Sequence, residues 1–412
     1  MSLKKIENAF KDYLKNLDEQ GTAKRHEAVI TGIKPADGKK GPRYFIEGYG
    51  DREFLRMNAN NYLGMSFNEE VIKAEKETAE RFGVGPGAVR FISGTFKTHR
   101  ELEKRLAEFH NREDAMIFSA AYATVMGVLP SLITKETIVI SDELNHNCII
   151  NAIRLAKPKD KKIYKHNDYN DLRVKLEESV GNAKRVIVVT DGIFSMRGEW
   201  ALLNEIADLA EEFDKNFEEG VITVVDDSHG VGAIGKTGRG TTEYLDENRI
   251  DVLVATLGKA LGVNGGYVVS DKFVIDYLRE TAPFYIYSNP ITPSEAAAAL
   301  KALDILDSEK GRTLLNHLHE MTKRFEKGLT DLGYEVIKGD HPVVPLMIRD
   351  TKKTKDLVSF LIDRGILATG LAYPVVPRGD EEIRFQICAD HTEYDIDYAL
   401  SVLKEYREKH FD

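Results

Sequence analysis

The chain has 412 residues, of which 57 are lysine or arginine and 67 aspartate or glutamate, giving a formal charge of −10 with neutral histidine. That acidic balance argues against nucleic acid as a partner, and no apolar run is long enough for a membrane-crossing helix or a leader's hydrophobic segment. Two cysteines, Cys148 and Cys388, offer no disulfide framework and suit a reducing compartment, so a cytoplasmic location is expected.

Near the N-terminus, Ile6, Phe10, Tyr13, Leu14 and Leu17 share one face of an amphipathic helix, a docking face. The stretch also carries acids that a transit peptide would lack. Residues 22–57 mix Gly, Pro and Lys with short alternating segments such as 43–47, as expected of a linker and edge strands. From residue 58 helical and strand patterns alternate. Leu102, Leu106 and Phe109, then Leu202, Leu203, Ile206, Leu209 and Phe213, recur at helical spacing, while 138–140, 186–189, 221–225 and 252–254 are continuous apolar runs that predict buried strands. This α/β alternation predicts a mostly parallel central sheet with helices on both faces. Lysine clusters at 39–40 and 157–162 read as solvated faces. Thr292, Pro293 and Glu295 supply an N-cap, a first-turn proline and a capping-box acid, so a long helix is expected there. Beyond it, a strand at 343–348 and helices at 355–364 and 393–404 suggest a smaller unit. The expected organisation is an N-terminal helix and edge-strand segment, 1–57; a large domain, 58–291; and a linking helix with a small α+β domain, 292–412.

The chemistry concentrates at two strand ends. The run 221–225 delivers Asp226 and His229 at its carboxyl end, where open α/β sheets bind ligands. The next strand leads into Thr256-Leu257-Gly258-Lys259-Ala260-Leu261-Gly262. A lysine desolvated in such a turn becomes a nucleophile able to form a Schiff base with a carbonyl cofactor such as pyridoxal phosphate (PLP). PLP draws charge well only when its ring nitrogen stays protonated, which calls for a fixed carboxylate there and a donor near the phenolic oxygen. Asp226 and His229 suit those roles. Singly, Asp226 reads as a strand-end cap, His229 as a structural histidine and Lys259 as a surface lysine; together they read as a site.

Further markers lie at 58–64 (Asn-Ala-Asn-Asn-Tyr-Leu-Gly), 90–95, 141–146, 190–196, 226–230, 258–262 and 373–379. On these, from about residue 58 to the C-terminus, the chain resembles the PLP-dependent α-oxoamine synthases of the type I aminotransferase fold, and among them the glycine C-acetyltransferases. The resemblance implies pyridoxal 5′-phosphate on Lys259, Asp226 at the ring nitrogen, His229 at the phenolic oxygen and His146 stacked on the ring. It places Ser195 near the cofactor, with Thr256 and the backbone of Ala121 and Tyr122 at the phosphate. Arg384, with Asn60, would hold a substrate carboxylate. Ser288 and Asn289 would reach the neighbouring subunit's phosphate, implying a homodimer with composite active sites, and no metal is expected. Arg197 departs from the acid often found at its position, and Ala123, Thr124 and Val125 from the polar residues expected there. The implied reaction condenses glycine with acetyl-CoA, or a related acyl-CoA, to 2-amino-3-ketobutyrate and CoA. The alternative is an 8-amino-7-oxononanoate synthase, using L-alanine and a longer acyl thioester, or a broad-specificity synthase. An aminotransferase and a catalytically silent partner subunit stand further off.

Overall fold

The computed structural model describes residues 3–20, 22–373 and 375–410. Met1, Ser2 and Pro374, the last within the marker at 373–379, lie outside the described residues. A seven-stranded sheet runs in the order Asp114–Phe118, Gly266–Ser270, Val252–Thr256, Val221–Asp226, Arg185–Asp191, Thr137–Asp142, Asp160–Tyr164. Gly266–Ser270 is antiparallel to both its neighbours; the pairings from Val252–Thr256 to Asp160–Tyr164 are parallel.

Side chains alternate across a strand, and here both faces are covered by helices. Ile138 and Ile140 join Val186 and Val188 in one core with Leu203, Ile206 and Phe213. Val139 joins Ile187, Val189 and Val224 in another with Val125, Leu129 and Ile149. Burial on both faces is why these strands read as unbroken apolar runs. The strand Gly266–Ser270 is not among the strands expected from the sequence. The lysine-rich run at 157–162 contributes the edge strand Asp160–Tyr164, where lysines discourage pairing with another chain.

The helix Pro293–Leu306 begins with the expected capping box, Thr292 accepting from the Glu295 amide and Glu295 from the Thr292 amide. It packs on Glu69–Phe82 and Lys97–Phe109 and leads into the 23-residue helix Glu309–Asp331. A second sheet of four strands, in the order Glu335–Val336, Val343–Met347, Glu382–Gln386, Thr369–Leu371, carries Arg384. The helix expected from 355 begins at Thr351, because Asp350 caps it by accepting from the Lys353 amide.

The segment before residue 58 joins the C-terminal part. Ile30–Lys34 and Arg43–Ile46 form an antiparallel pair, and Leu55–Arg56 lies parallel to Ile366–Leu367. The N-terminal helix Leu3–Gln20 forms as expected but buries none of its residues within this chain. Among the described residues no helix is long and apolar enough to cross a membrane.

Candidate active site

Parallel strands deliver their carboxyl ends to one edge of the sheet, and the expected groups meet there. One cavity is lined by Ala121, Tyr122, His146, Ser195, Asp226, His229 and Lys259, all expected, and by Cys148, Asp191 and Ser228. Thr256, Arg384, Asn60, Ser288 and Asn289 do not line it.

Lys259 sits in a tight turn after the strand ending at Thr256. The Gly262 amide donates to the Lys259 carbonyl at 3.0 Å, and Gly262 has φ 69, with a Cβ there falling 2.4 Å from the Ser66 amide nitrogen. Only glycine suits that combination. Burial is the main cause that lowers the Lys259 amine to a pKa of about 8; Arg384 pushes the same way, while Asp226 and Asp191 oppose it.

Asp226 ends the neighbouring strand. Its Oδ1 accepts from the Ser228 amide at 3.1 Å, whereas Oδ2 has only a long 3.7 Å contact with the Cys148 thiol. Oδ2 is thus the freer oxygen. Ser228 Oγ is buried without a partner in a wall of this cavity. A carboxylate oxygen with capacity to spare and an orphaned hydroxyl in one cavity fit a polar ring.

His146 caps the helix Asn147–Ala156, its Nδ1 accepting from the Cys148 amide at 3.3 Å. It is therefore a helix-start residue and a cavity wall at once. Burial lowers its pKa, against the Asp226 charge. His229 is buried, with Nδ1 2.8 Å from the Tyr62 hydroxyl, and burial followed by Lys259 drives its pKa well below the ordinary value. Both imidazoles are thereby biased towards the neutral form.

Ala121 opens the helix Ala121–Leu132, and a Cβ on Gly266 would fall 2.5 Å from Ala121 Cα. The first amides of such a helix suit an anion. Tyr122 donates to Asn147 at 3.0 Å. The Thr256 hydroxyl donates to the Gly265 carbonyl at 3.2 Å and accepts from the Gly258 amide at 3.0 Å. To donate to a phosphate it would have to leave Gly265. Half-buried Arg384 donates to Asn60 Oδ1 at 3.3 Å, so the two residues expected at a substrate carboxylate are neighbours.

The sequence reading did not single out Asp191, Tyr62, Cys148, Ser228 and His341. Asp191 accepts from the His146 amide at 2.8 Å and lies in register beside Asp226. Its signal was present in Thr190-Asp191-Gly192, at the end of the strand next to that of Asp226. Tyr62 lay in the marker at 58–64; Cys148 and His341 carry no signal without the fold.

Two other features lack this chemistry. A cleft of about 730 Å³ borders Tyr244, His319 and Lys323, but Lys323 is paired with Asp340 at 2.9 Å. Ligand atoms of Cys388, Asp390 and His391 lie within 4.8 Å of one another. His391 Nδ1 accepts from the Cys388 amide, however, and Nε2 donates to the Arg56 carbonyl, so neither nitrogen is open to an ion.

The chain matches the family described as aminotransferase class I and II over residues 52–403. The 8-amino-7-oxononanoate synthase 1 of Bacillus velezensis is 40% identical to it, over 90% of this chain and 92% of that protein. The mitochondrial 2-amino-3-ketobutyrate coenzyme A ligase of Bos taurus is 37% identical, over 99% and 94%. A solved structure of SPT with PLP internal aldimine superposes with a TM-score of 0.87 at 27% identity, covering 99% of this chain and 98% of that one. The chain belongs to the class I and II aminotransferase family, within its PLP-dependent α-oxoamine synthases.

Proposed function

We propose that this enzyme joins a small amino acid to an acyl thioester with release of CoA, using PLP held on Lys259, and that its substrates are L-alanine and a pimeloyl-type thioester. The observation carrying the reaction class is the constellation of Lys259, weakened as a base by burial, beside Asp226 with its uncommitted Oδ2. When bound, PLP supplies the electron sink for negative charge at the substrate's α-carbon.

The chain's own groups supply the rest. Lys259, as a neutral amine, would hold the cofactor through Nζ, and the same atom would accept the substrate's α-proton. Asp226 Oδ2 would hold a proton at the ring nitrogen. His146 would hold the ring, and Ser228 Oγ and Ser195 would offer it hydroxyls. Arg384 grips the amino acid's carboxylate through a planar fork, with Asn60 beside it, and so sets the angle of the Cα–H bond. The opening amides of the helix at Ala121 and Tyr122 receive the phosphate.

The choice of L-alanine is supported by the 40% identity to the Bacillus velezensis synthase over nearly its whole length. Glycine with acetyl-CoA is the second reading, supported by the bovine ligase at 37% over an equally complete span. A CoA-release assay over a grid of amino acids and acyl thioesters separates them. L-Alanine with pimeloyl thioester should give the highest kcat/KM; a higher value for glycine with acetyl-CoA overturns the first reading in favour of the second.

A further inference from the structure

A buried hydrogen bond between Tyr62 and His229 bears on which nitrogen of His229 carries the proton. The Tyr62 ring is fully buried, and its hydroxyl lies 2.8 Å from His229 Nδ1 and 3.3 Å from Asn60 Oδ1. Arg384 Nη2 already donates to that same Asn60 oxygen at 3.3 Å. On the far side, His341 Nε2 donates to the His229 carbonyl at 2.8 Å while its Nδ1 accepts from the Val343 amide at 3.1 Å. His341 is therefore fixed as the Nε2–H form and meets Tyr62 edge-on, with ring centroids 5.3 Å apart. Among the described residues, nothing hydrogen-bonds to His229 Nε2.

Tyr62 has one proton and two acceptors within reach. The bond to Nδ1 is much the shorter, and Asn60 Oδ1 is already served by Arg384. We infer that Tyr62 is a positioning residue that donates to His229 Nδ1 and so holds His229 as its Nε2–H tautomer, with the N–H turned towards a bound anionic oxygen. The alternative tautomer would present a lone pair to that oxygen. This inference rests on the proposed function only in naming the oxygen as the phenolic one of PLP; the tautomer itself follows from the protein's own contacts. Burial keeps His229 neutral, so the tautomer, and not a second proton, decides what Nε2 can do.

The test is ¹⁵N NMR of the full chain labelled at histidine, with and without PLP, on wild type and Tyr62→Phe. The wild type should show His229 as Nε2–H in both states. Tyr62→Phe keeps the ring against His341 but removes the donor, so His229 should become a mixture of tautomers. With PLP, kcat should fall about tenfold and KM for the amino acid should change less than about twofold. An Nδ1–H form in the wild type, or an unchanged tautomer in Tyr62→Phe, overturns the inference. If the variant does not fold, the wild-type tautomer alone decides. If PLP does not bind while His229 is Nε2–H, the proposed function fails and the role of Tyr62 stands.

Discussion

Asp191 and Asp226 are paired in register on adjacent parallel strands, which sets two buried carboxyls side by side at the carboxyl edge of the sheet. Burial first, and then the charge of Asp226, push Asp191 well above the usual carboxylate range. Two close carboxyls in one low-dielectric site do not both ionise freely. Asp191 is the one driven towards the neutral acid.

This division gives opposite outcomes for two similar substitutions. Asp191→Asn resembles the neutral acid and retains an oxygen for the His146 amide, so it should keep activity within about tenfold of wild type. It should also raise the melting temperature at pH 7. A carboxyl whose folded pKa is raised destabilises the fold once pH exceeds its unfolded value near 3.9, so this gain should shrink as pH falls to about 4. Asp226→Asn should still take up PLP but lose α-proton exchange by at least about 100-fold, because the ring nitrogen loses its partner. Deuterium exchange at the substrate's α-carbon and melting curves at the two pH values check both; normal exchange in Asp226→Asn would refute its role.

Lys259 should carry the cofactor, and it should also cost stability. Borohydride reduction followed by peptide mapping should label Lys259; label on another lysine of active enzyme would remove the assignment. Its amine is lowered to about 8, so below that pH the fold bears a charge that the unfolded chain tolerates better, and the cost is relieved as pH rises towards the unfolded value near 10.4. Lys259→Met should therefore stabilise the cofactor-free chain at pH 7 by roughly 1–3 kcal/mol, and by less at pH 10. Chemical denaturation at the two pH values measures the difference.

The parts legible in the sequence were those where one short stretch holds both the pattern and its cause. The apolar runs ending at Asp226 and Thr256 announced buried parallel strands, and the Thr292–Glu295 capping box announced its helix. Lys259, Asp226, His229 and His146 share a cavity because those strand ends and one helix cap meet at a single edge. Contacts between distant segments were not legible. Tyr62 meets His229 across 167 positions. Asp395 closes on Gly41 and Arg43 across more than 350, which is why the N-terminal segment packs with the C-terminal part and not as a separate linker. Gly266 opens an interior strand of the sheet, where its missing side chain admits the helix at Ala121.

The Arg43–Asp395 pair is a clasp between those segments. Both side chains are buried, and Asp395 also accepts from the Gly41 amide at 2.8 Å. Burial pushes the Asp395 carboxyl up, but the Thr392 amide, Arg43 and the Gly41 amide outweigh it and hold it below the ordinary value. Its stabilisation is therefore present above the unfolded pKa and is lost as pH falls through the lower folded one. Arg43→Met leaves a buried charge uncompensated and should cost about 3–5 kcal/mol near neutral pH. Urea midpoints at pH 7 measure this, and a loss under about 1 kcal/mol would show the pair to be dispensable.

The position of Ser288 and Asn289 yields the last prediction. They lie between the short helix Pro283–Ile286 and the helix Pro293–Leu306, half-buried and exposed respectively, and do not line the cavity around Lys259. Beside them Tyr287 is 75% exposed and meets Phe91, itself 64% exposed, edge to face at 6.4 Å. Large aromatics so exposed are at odds with a solitary chain and suit a contact with a second copy. We expect a homodimer in which these residues complete the neighbouring subunit's phosphate site. A Lys259→Ala subunit and a subunit carrying both Ser288→Ala and Asn289→Ala should each be weak alone. Co-expressed, they should form mixed dimers in which one of the two sites holds an intact Lys259 together with intact Ser288 and Asn289 from its neighbour. Random pairing would then restore about a quarter of wild-type activity. If each subunit served its own site, mixing would restore nothing beyond the sum of the two weak parents, and a fully active monomer by sedimentation would contradict the shared site directly.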